Sequence, residues 1–178
     1  MKKIVLVFGL IAGLIVTTLM FFNIRAMYKN ESAQGNIIVG YTTMVVAFSM
    51  IFVGIKNYRD KYNNGVISFG KAFKTGFYIT LVASTLYVLV WLVEYKLFFP
   101  DFMDRYAACA MNDARSSGAS QAELNEVAAE IARGKELYKN PLFVILMTYA
   151  EILPVGLIIT LLSALLLKRK VKPMSPAV

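Results

Sequence analysis

The sequence predicts an all-α membrane protein with four transmembrane helices, and three observations lead to this prediction. Of the 178 residues, 58% are hydrophobic and 17% are charged, whereas ordinary soluble domains carry about 25% charged residues. The apolar residues are concentrated in four long runs. A run of about 20 residues crosses the hydrocarbon layer as a helix, which satisfies its own backbone hydrogen bonds. The runs cover residues 4–22, 37–55, 77–99 and 141–167.

The four runs hold about half of the chain, which leaves little sequence for a second folded domain. We therefore expect a single membrane domain over residues 1–178. The longest polar interval, residues 100–140, lies between the third and fourth runs. With an even number of spans, this interval and the two chain termini are on opposite sides of the membrane.

The placement of the basic residues predicts the orientation of the protein. The net charge is +8, and the side that holds both termini carries most of this excess. The positive-inside rule therefore puts the termini and residues 56–76 in the cytoplasm. The basic side chains are expected to meet anionic lipid headgroups of the bilayer rather than nucleic acid. On that side lie one acid, Asp60, and the bases Lys2, Lys3, Lys56, Arg59, Lys61, Lys71, Lys74, Lys168, Arg169, Lys170 and Lys172.

The residue content argues against an enzyme, a metal site and a cofactor. Histidine, the commonest general base and metal ligand, is absent, and Cys109 is the only cysteine. The sequence contains no phosphate-binding loop, nucleophile elbow, dinucleotide fingerprint or zinc-binding triad. We therefore expect no catalytic residues, no bound metal and no cofactor.

Small residues recur at helical spacing in the first two runs. Gly9 and Gly13 form a GxxxG motif, and Gly40, Ala47 and Gly54 repeat at heptad spacing. Small residues let membrane helices approach closely. We interpret both sets as helix-packing positions, within one chain in preference to a homodimer.

The third run carries small and polar residues on one stripe. At 100° per residue these side chains fall within a 90° sector, and a stripe of this kind is expected to face protein rather than lipid. Ordinary helix packing accounts for all of it except a glutamate, which is expected to reach the membrane interface. The stripe consists of Gly76, Thr80, Ala83, Ser84, Tyr87, Trp91 and Glu94.

The segment before the third run suggests a short helix that lies at the membrane surface. Phe69 and Phe73 are four residues apart, with Lys71 and Lys74 on a more polar side. This pattern is typical of an interfacial helix. A solvated basic loop is the alternative.

Glu151 lies near the middle of the fourth run, one turn before Pro154, which lacks an N–H and is expected to kink the helix. A carboxylate at this depth costs at least about 2.5 kcal/mol. We hypothesise that Glu151 is either protonated or hydrogen-bonded to hydroxyl groups of the third run. Two roles stay open, a structural interhelical hydrogen bond and the handling of protons or cations. The candidate partners are Tyr87, Ser84 and Thr80.

Residues 100–140 are predicted to form an extracytoplasmic helical hairpin. Asp101 is expected to cap its first helix, and Ser116-Ser117-Gly118 ends that helix. Ser120 and Glu123 have the spacing of a capping box, which begins a second helix.

The middle of the chain resembles a family of small bacterial membrane proteins, domain-of-unknown-function 4199, which is typical of Bacteroidota. The resemblance rests on the runs Gly40-Tyr41-x-x-Met44, residues 51–60 and residues 65–76. It implies a four-helix protein of the bacterial inner membrane and carries no activity over to this chain. It draws attention to a cytoplasmic motif that comprises Gly54, Lys56, Tyr58, Arg59, Gly65, Ser68, Phe69, Lys71 and Gly76.

Two classes of function follow from the sequence. The first is a non-enzymatic structural, assembly or regulatory subunit that docks a membrane protein partner or a second copy of itself. The alternative is a small oligomeric transporter or channel component that uses Glu151 for protons or cations.

Overall fold

The protein is all-helical in a computed structural model, which describes residues 1–30 and 34–169. Lys170 and Lys172, two of the bases used in the orientation argument, lie outside these residues. Six helices occur in the described ranges: α1 (Lys2–Asn30), α2 (Gln34–Tyr62), α3 (Phe69–Leu97), α4 (Phe102–Ser116), α5 (Gln121–Tyr138) and α6 (Pro141–Leu167).

Four of these helices, α1, α2, α3 and α6, are long and apolar enough to cross a membrane, which confirms the predicted number. The helix α6 matches its apolar run, and Pro141 occupies its first turn as expected. The helices α1 and α2 continue past their apolar runs, to Asn30 and Tyr62. Hydropathy marks only the part of a helix that lies in lipid, so it underestimates helices with polar ends.

The prediction of a separate interfacial helix before the third span is wrong. Residues 69–76 are the first two turns of α3, which runs without a break from Phe69 to Leu97. Ser68 begins this helix, and its hydroxyl accepts a hydrogen bond from the Lys71 amide at 3.4 Å. Gly76 lies within this continuous helix, and a Cβ atom there would lie 2.8 Å from Thr160.

The four long helices form one bundle. The helices α2 and α3 touch each other, and both α1 and α6 pack on that pair from opposite sides. The polar stripe of α3 is buried along its whole length, as predicted. At the centre of the bundle, Phe48, Ile51 and Ile79 have no exposed surface.

Glycines bring α1 and α2 against α3 in the half of the bundle near residue 1. A Cβ atom on Gly9 would lie 2.7 Å from Val82, and one on Gly13 would lie 2.8 Å from Leu86. On α2, a Cβ atom on Gly54 would lie 2.7 Å from Ile79. Real Cβ atoms do not approach this closely, so these contacts exist only because the side chains are absent.

A further glycine contact, which the sequence analysis missed, joins α6 to α3 and α2. A Cβ atom on Gly156 would overlap the Thr80 side chain and lie 3.0 Å from the Phe48 ring. The Thr80 hydroxyl is 3.0 Å from the Thr160 hydroxyl and donates to the Gly156 carbonyl at 3.3 Å. Close backbone approach and buried hydrogen bonds thus coincide at one point, as is typical of membrane helix pairs.

The connection between α2 and α3 also holds the end of α6. Asn64 and Gly65 have positive φ angles of 52° and 74° and form a turn after α2. After the turn, the backbone of Ile67 pairs with that of Arg169 through hydrogen bonds of 3.1 and 2.8 Å. The Arg59 guanidinium donates to the Leu167 carbonyl at 3.4 Å. These bonds satisfy backbone groups at the C-terminus of α6 that the helix itself leaves unpaired.

The family-like motif therefore has a structural role in this connection. Lys71 donates to the Asn63 side chain at 2.7 Å and lies 5.5 Å from the centre of the Tyr58 ring. Asn63 in turn donates to the Val66 carbonyl. These contacts link the last turns of α2 to the first turn of α3.

The helices α4 and α5 lie between the third and fourth spans and contact each other. Lys135 pairs with Asp104 at 2.6 Å, and the predicted capping box of Ser120 and Glu123 begins α5. Asp101 occupies the N-cap position of α4 as predicted, but its side chain makes no capping hydrogen bond. The Asp101 carboxylate instead accepts from the Tyr28 hydroxyl at 2.8 Å, which ties α4 to α1.

Replacing Gly156 with alanine is expected to destabilise the bundle by about 1–3 kcal/mol, because the added methyl group overpacks the contact with Thr80 and Phe48. The matched control is Gly70→Ala in the first turn of α3, where no atom lies within 4 Å of the added Cβ. The midpoint of thermal unfolding in mild detergent measures the effect. A Gly156→Ala protein as stable as the Gly70→Ala protein would contradict this account of the contact.

Candidate functional site

A cavity of about 410 Å³ lies in the half of the bundle opposite the glycine contacts. It is lined by the second half of α1, the first half of α2, the second half of α3 and the first half of α6. Residues from α4 and α5 close it from above, namely Phe102, Tyr106 and Tyr138. The cavity forms because the helices that touch at glycines in one half carry larger side chains in the other.

Most of the cavity wall is aromatic, aliphatic or thioether. One side chain among its lining residues carries a formal negative charge, that of Glu151, and none of the lining residues is a lysine or arginine. Ile37, Tyr41 and Glu151 are also exposed. The cavity is therefore open at the edge where α2 faces α6.

Glu151 lines the cavity and acts electrostatically on two of its tyrosines. Burial, and then the charge of Glu151, raise the pKa of Tyr138 to about 12. Tyr87 also lies within electrostatic reach of Glu151. In the described part of the chain, no hydrogen bond reaches the Glu151 carboxylate, so its oxygens are available to a ligand.

The hydrogen bonds that we hypothesised from α3 to Glu151 are not present. Thr80 bonds to Thr160 and Gly156 instead, two turns deeper in the bundle. The Ser84 hydroxyl is buried and has no hydrogen-bond partner among the described residues. Only Tyr87 of the three candidates shares the cavity with Glu151. The polar stripe of α3 faces α6 at Gly156, where Thr80 is bonded. Thr80 is therefore separated from the Glu151 carboxylate, which lies at the cavity.

Glu94 is buried, and the expectation that its side chain reaches the membrane interface is wrong. Its residue surface is 8% exposed, and one carboxylate oxygen is buried without a hydrogen-bond partner in the described ranges. It does not line the cavity. Its backbone carbonyl accepts hydrogen bonds from Phe98 and Phe99, which end α3.

Aromatic rings hold α4 and α5 above the cavity. The Trp91 ring meets the Phe102 ring edge to face at 4.9 Å, and Tyr95 meets Tyr138 at 5.6 Å. Such pairs contribute about 0.5–1.5 kcal/mol each beyond their buried area. The roof is therefore fixed to α3 rather than resting loosely on it.

A hydrogen bond outside the spans secures the roof from α1. The Tyr28 hydroxyl is the main reason that the pKa of Asp101 lies below its ordinary value, and Arg105 lowers it further. The link is therefore present above the ordinary carboxylate range and is lost as the pH falls through the lowered pKa of Asp101.

Three of the cavity residues come from the run Gly40-Tyr41-x-x-Met44, one of the three on which the family resemblance rests. The sequence analysis assigned Gly40 to packing, and its nearest contact is Asn23 on α1 at 3.4 Å. It did not single out Tyr41, Tyr106 or Tyr138. Tyrosines at the ends of apolar runs indicate a membrane interface, and this signal does not distinguish a cavity wall from a lipid-facing belt.

A smaller cavity of about 310 Å³ lies where α1 ends beside α3. Phenylalanine rings and Tyr28 form its wall, with Arg25 and Lys29 as its charged groups. The Arg25 guanidinium lies 5.8 Å from the centre of the Phe21 ring. The charged residues of this smaller cavity are basic, whereas the charged residue of the large cavity, Glu151, is acidic.

Two expectations concern groups elsewhere in the molecule. The helix α6 continues through Pro154, and a kink there stays a prediction. Among the described residues, no three histidine, cysteine, aspartate or glutamate side chains come together in a way that could hold a metal ion.

Fold and site together define a multi-pass membrane protein with an open, acid-containing cavity inside a four-helix bundle. The chain belongs to the family described as protein of unknown function (DUF4199), whose model matches residues 7–169. The resemblance drawn from the sequence is thereby confirmed for nearly the whole chain. Searches of curated proteins and of solved structures found no match.

Proposed function

We propose that this protein is a non-enzymatic carrier component that binds a cation or a proton at Glu151. The observation that carries the proposal is the position of this carboxylate, which stands without a hydrogen-bonded partner at the open edge of a 410 Å³ cavity. A carboxylate kept inside a membrane protein at such cost is by default a functional group. The sequence alone favoured a docking subunit over a transporter component, and the cavity at Glu151 is our reason for preferring the transporter component.

The surroundings of Glu151 suit exchange of a proton or cation. Its neighbours on the cavity wall include the hydroxyls of Tyr41, Tyr87 and Tyr138, and a hydroxyl can hydrogen-bond to either form of the carboxyl. With no lysine or arginine among the lining residues, no built-in counter-ion competes with an incoming cation. A mobile cation is thus the natural partner of the charge.

The proposal includes a direction across the membrane. With both termini in the cytoplasm of a bacterial inner membrane, the cavity and the α4–α5 roof face the extracytoplasmic side. Four helices enclose a small volume, so transport across the whole bilayer is proposed for a homo-oligomer.

A subunit that docks another membrane protein is the second candidate, and α5 favours it. This helix has no buried residue. Away from α4 it carries an exposed acidic face that includes Glu126 and Glu130. An exposed, charged helix outside the spans is a suitable contact for a basic partner.

The replacement Glu151→Gln tests the carrier proposal, because an amide cannot bind and release a proton as the carboxyl does. Proton flux is measured in proteoliposomes that contain a pH-sensitive dye, under a potassium diffusion potential. We expect the flux of the variant to fall about tenfold or more. The matched control is Glu94→Gln, the same change at a carboxylate outside the cavity, which should keep the flux. Equal flux in the wild-type and Glu151→Gln proteins contradicts the proposal.

Orientation is tested with two cysteine variants in a Cys109→Ala background. Asn125→Cys on α5 should react with a membrane-impermeant maleimide added to intact spheroplasts. Lys61→Cys at the end of α2 should react only after the membrane is opened. Both positions are exposed, so accessibility on each side decides the result. The reverse pattern would overturn the orientation.

Assembly is tested by purification in mild detergent, with mass spectrometry of the bound proteins and light scattering of the complex. The carrier proposal expects a homo-oligomer. A stoichiometric basic partner that is lost on Glu126→Lys and Glu130→Lys replacement would favour the docking subunit instead. Each replacement is also made alone, and the folding of the single variants is compared with that of the wild type.

A further inference from the structure

We infer that the Glu151 cavity is a binding site for a lipophilic organic cation, an ammonium or similar group on an apolar body. The inference rests on the proposed function and specifies its ligand. It is supported by the composition of the wall, the shape of the cavity and the coordination that the wall can and cannot offer.

Five residues with electron-rich aromatic rings line the cavity together with one carboxylate. Tyr41, Tyr87, Trp91, Tyr106 and Tyr138 come from four different helices and line the same cavity as Glu151. Aromatic faces attract cations through the ring quadrupole, and rings around a negative charge are the usual means of recognising alkylated ammonium groups.

An inorganic cation fits this wall poorly. Calcium takes six to eight oxygen ligands, and magnesium requires octahedral oxygen coordination or retained water. The cavity offers one carboxylate, and the other side-chain oxygens on its wall belong to neutral hydroxyl and amide groups. In the described ranges no second acid lines the cavity. An organic cation needs no such shell, because its charge is spread and its carbon atoms pack on rings.

The size and opening also suit such a ligand. A volume of about 410 Å³ is within the range of about 300–1,000 Å³ for small-molecule sites. Met20, Met27 and Met44 supply adaptable apolar contact for a body of variable shape. The edge between α2 and α6 carries exposed apolar residues such as Ile37 and Val45, so a lipophilic ligand can approach from the membrane.

The chain contains its own reporter for the test. Trp91 is the only tryptophan in the sequence and lines the cavity, so its fluorescence reports binding there. The probe is benzyltrimethylammonium, titrated into the purified full-length protein in lipid nanodiscs. Neopentylbenzene, which has the same shape without the charge, and sodium chloride are the comparison titrants. Equilibrium dialysis of the probe provides a measurement that does not depend on Trp91.

We expect saturable binding of benzyltrimethylammonium to the wild-type protein. Glu151→Gln should weaken it about tenfold or more, because the paired charge is lost. Tyr41→Leu, which removes one ring at the open edge, should weaken it about two- to thirtyfold, the range for a single cation–π contact. Glu94→Gln should bind as the wild type does, since Glu94 lies outside the cavity.

Three outcomes overturn the inference: equal binding of neopentylbenzene, unchanged affinity in a folded Glu151→Gln protein, or no saturable binding by fluorescence and dialysis together. The outcome separates this inference from the carrier proposal. Proton flux that depends on Glu151 without binding of the probe would leave the carrier and remove the organic ligand. Charge-dependent binding without flux would leave the binding site and remove transport.

Discussion

The structure depends on the close approach of helices at glycines in one half of the bundle. At Gly9, Gly13 and Gly156 the backbone of one helix touches side chains of the next, and a methyl group would not fit. Lipid competes with protein for every apolar contact in a membrane, so dense packing and buried hydrogen bonds have to supply the association. Once this half is fixed, the helices can diverge in the other half without coming apart. The cavity is the space that this divergence leaves.

The two ends of the bundle are held by different chemistry. At one end, the α2–α3 connection is joined to the end of α6 by backbone hydrogen bonds between Ile67 and Arg169 and by the Arg59 guanidinium, which donates to a backbone carbonyl. Above the cavity, Trp91, Phe102 and Tyr138 join α3, α4 and α5 through ring contacts, and the Tyr28–Asp101 hydrogen bond adds α1. The polar connection forms a rigid base. The aromatic roof is held to α3 by ring contacts in place of backbone hydrogen bonds.

The sequence predicted the spans, the stripe on α3 and the capping box of α5, because each follows from local periodicity or spacing. It did not predict which partner each polar group would find. Thr80 and Glu151 look like candidates for one another by depth, but Gly156 lets α3 and α6 meet so closely that Thr80 bonds to Thr160 instead. Tyr41, Tyr106 and Tyr138 line one cavity only when α2, α4 and α5 are assembled. The residue spacing within a single helix cannot predict such a contact between helices. The separate interfacial helix expected before the third span is absent because residues 69–76 continue into α3, and Gly76 packs closely on Thr160.

The hydrogen bond between Thr80 and Thr160 has a consequence for biogenesis. The helix α6 follows the other three described spans in the chain, so the Thr80 hydroxyl and Gly76 on α3 lack their contacts with α6 until that helix has been made. The bridge between Ile67 and Arg169 can close only after the chain has passed α6. The contacts of α6 and the Ile67–Arg169 bridge therefore both depend on the end of the chain, and a chain truncated before residue 141 would lack both.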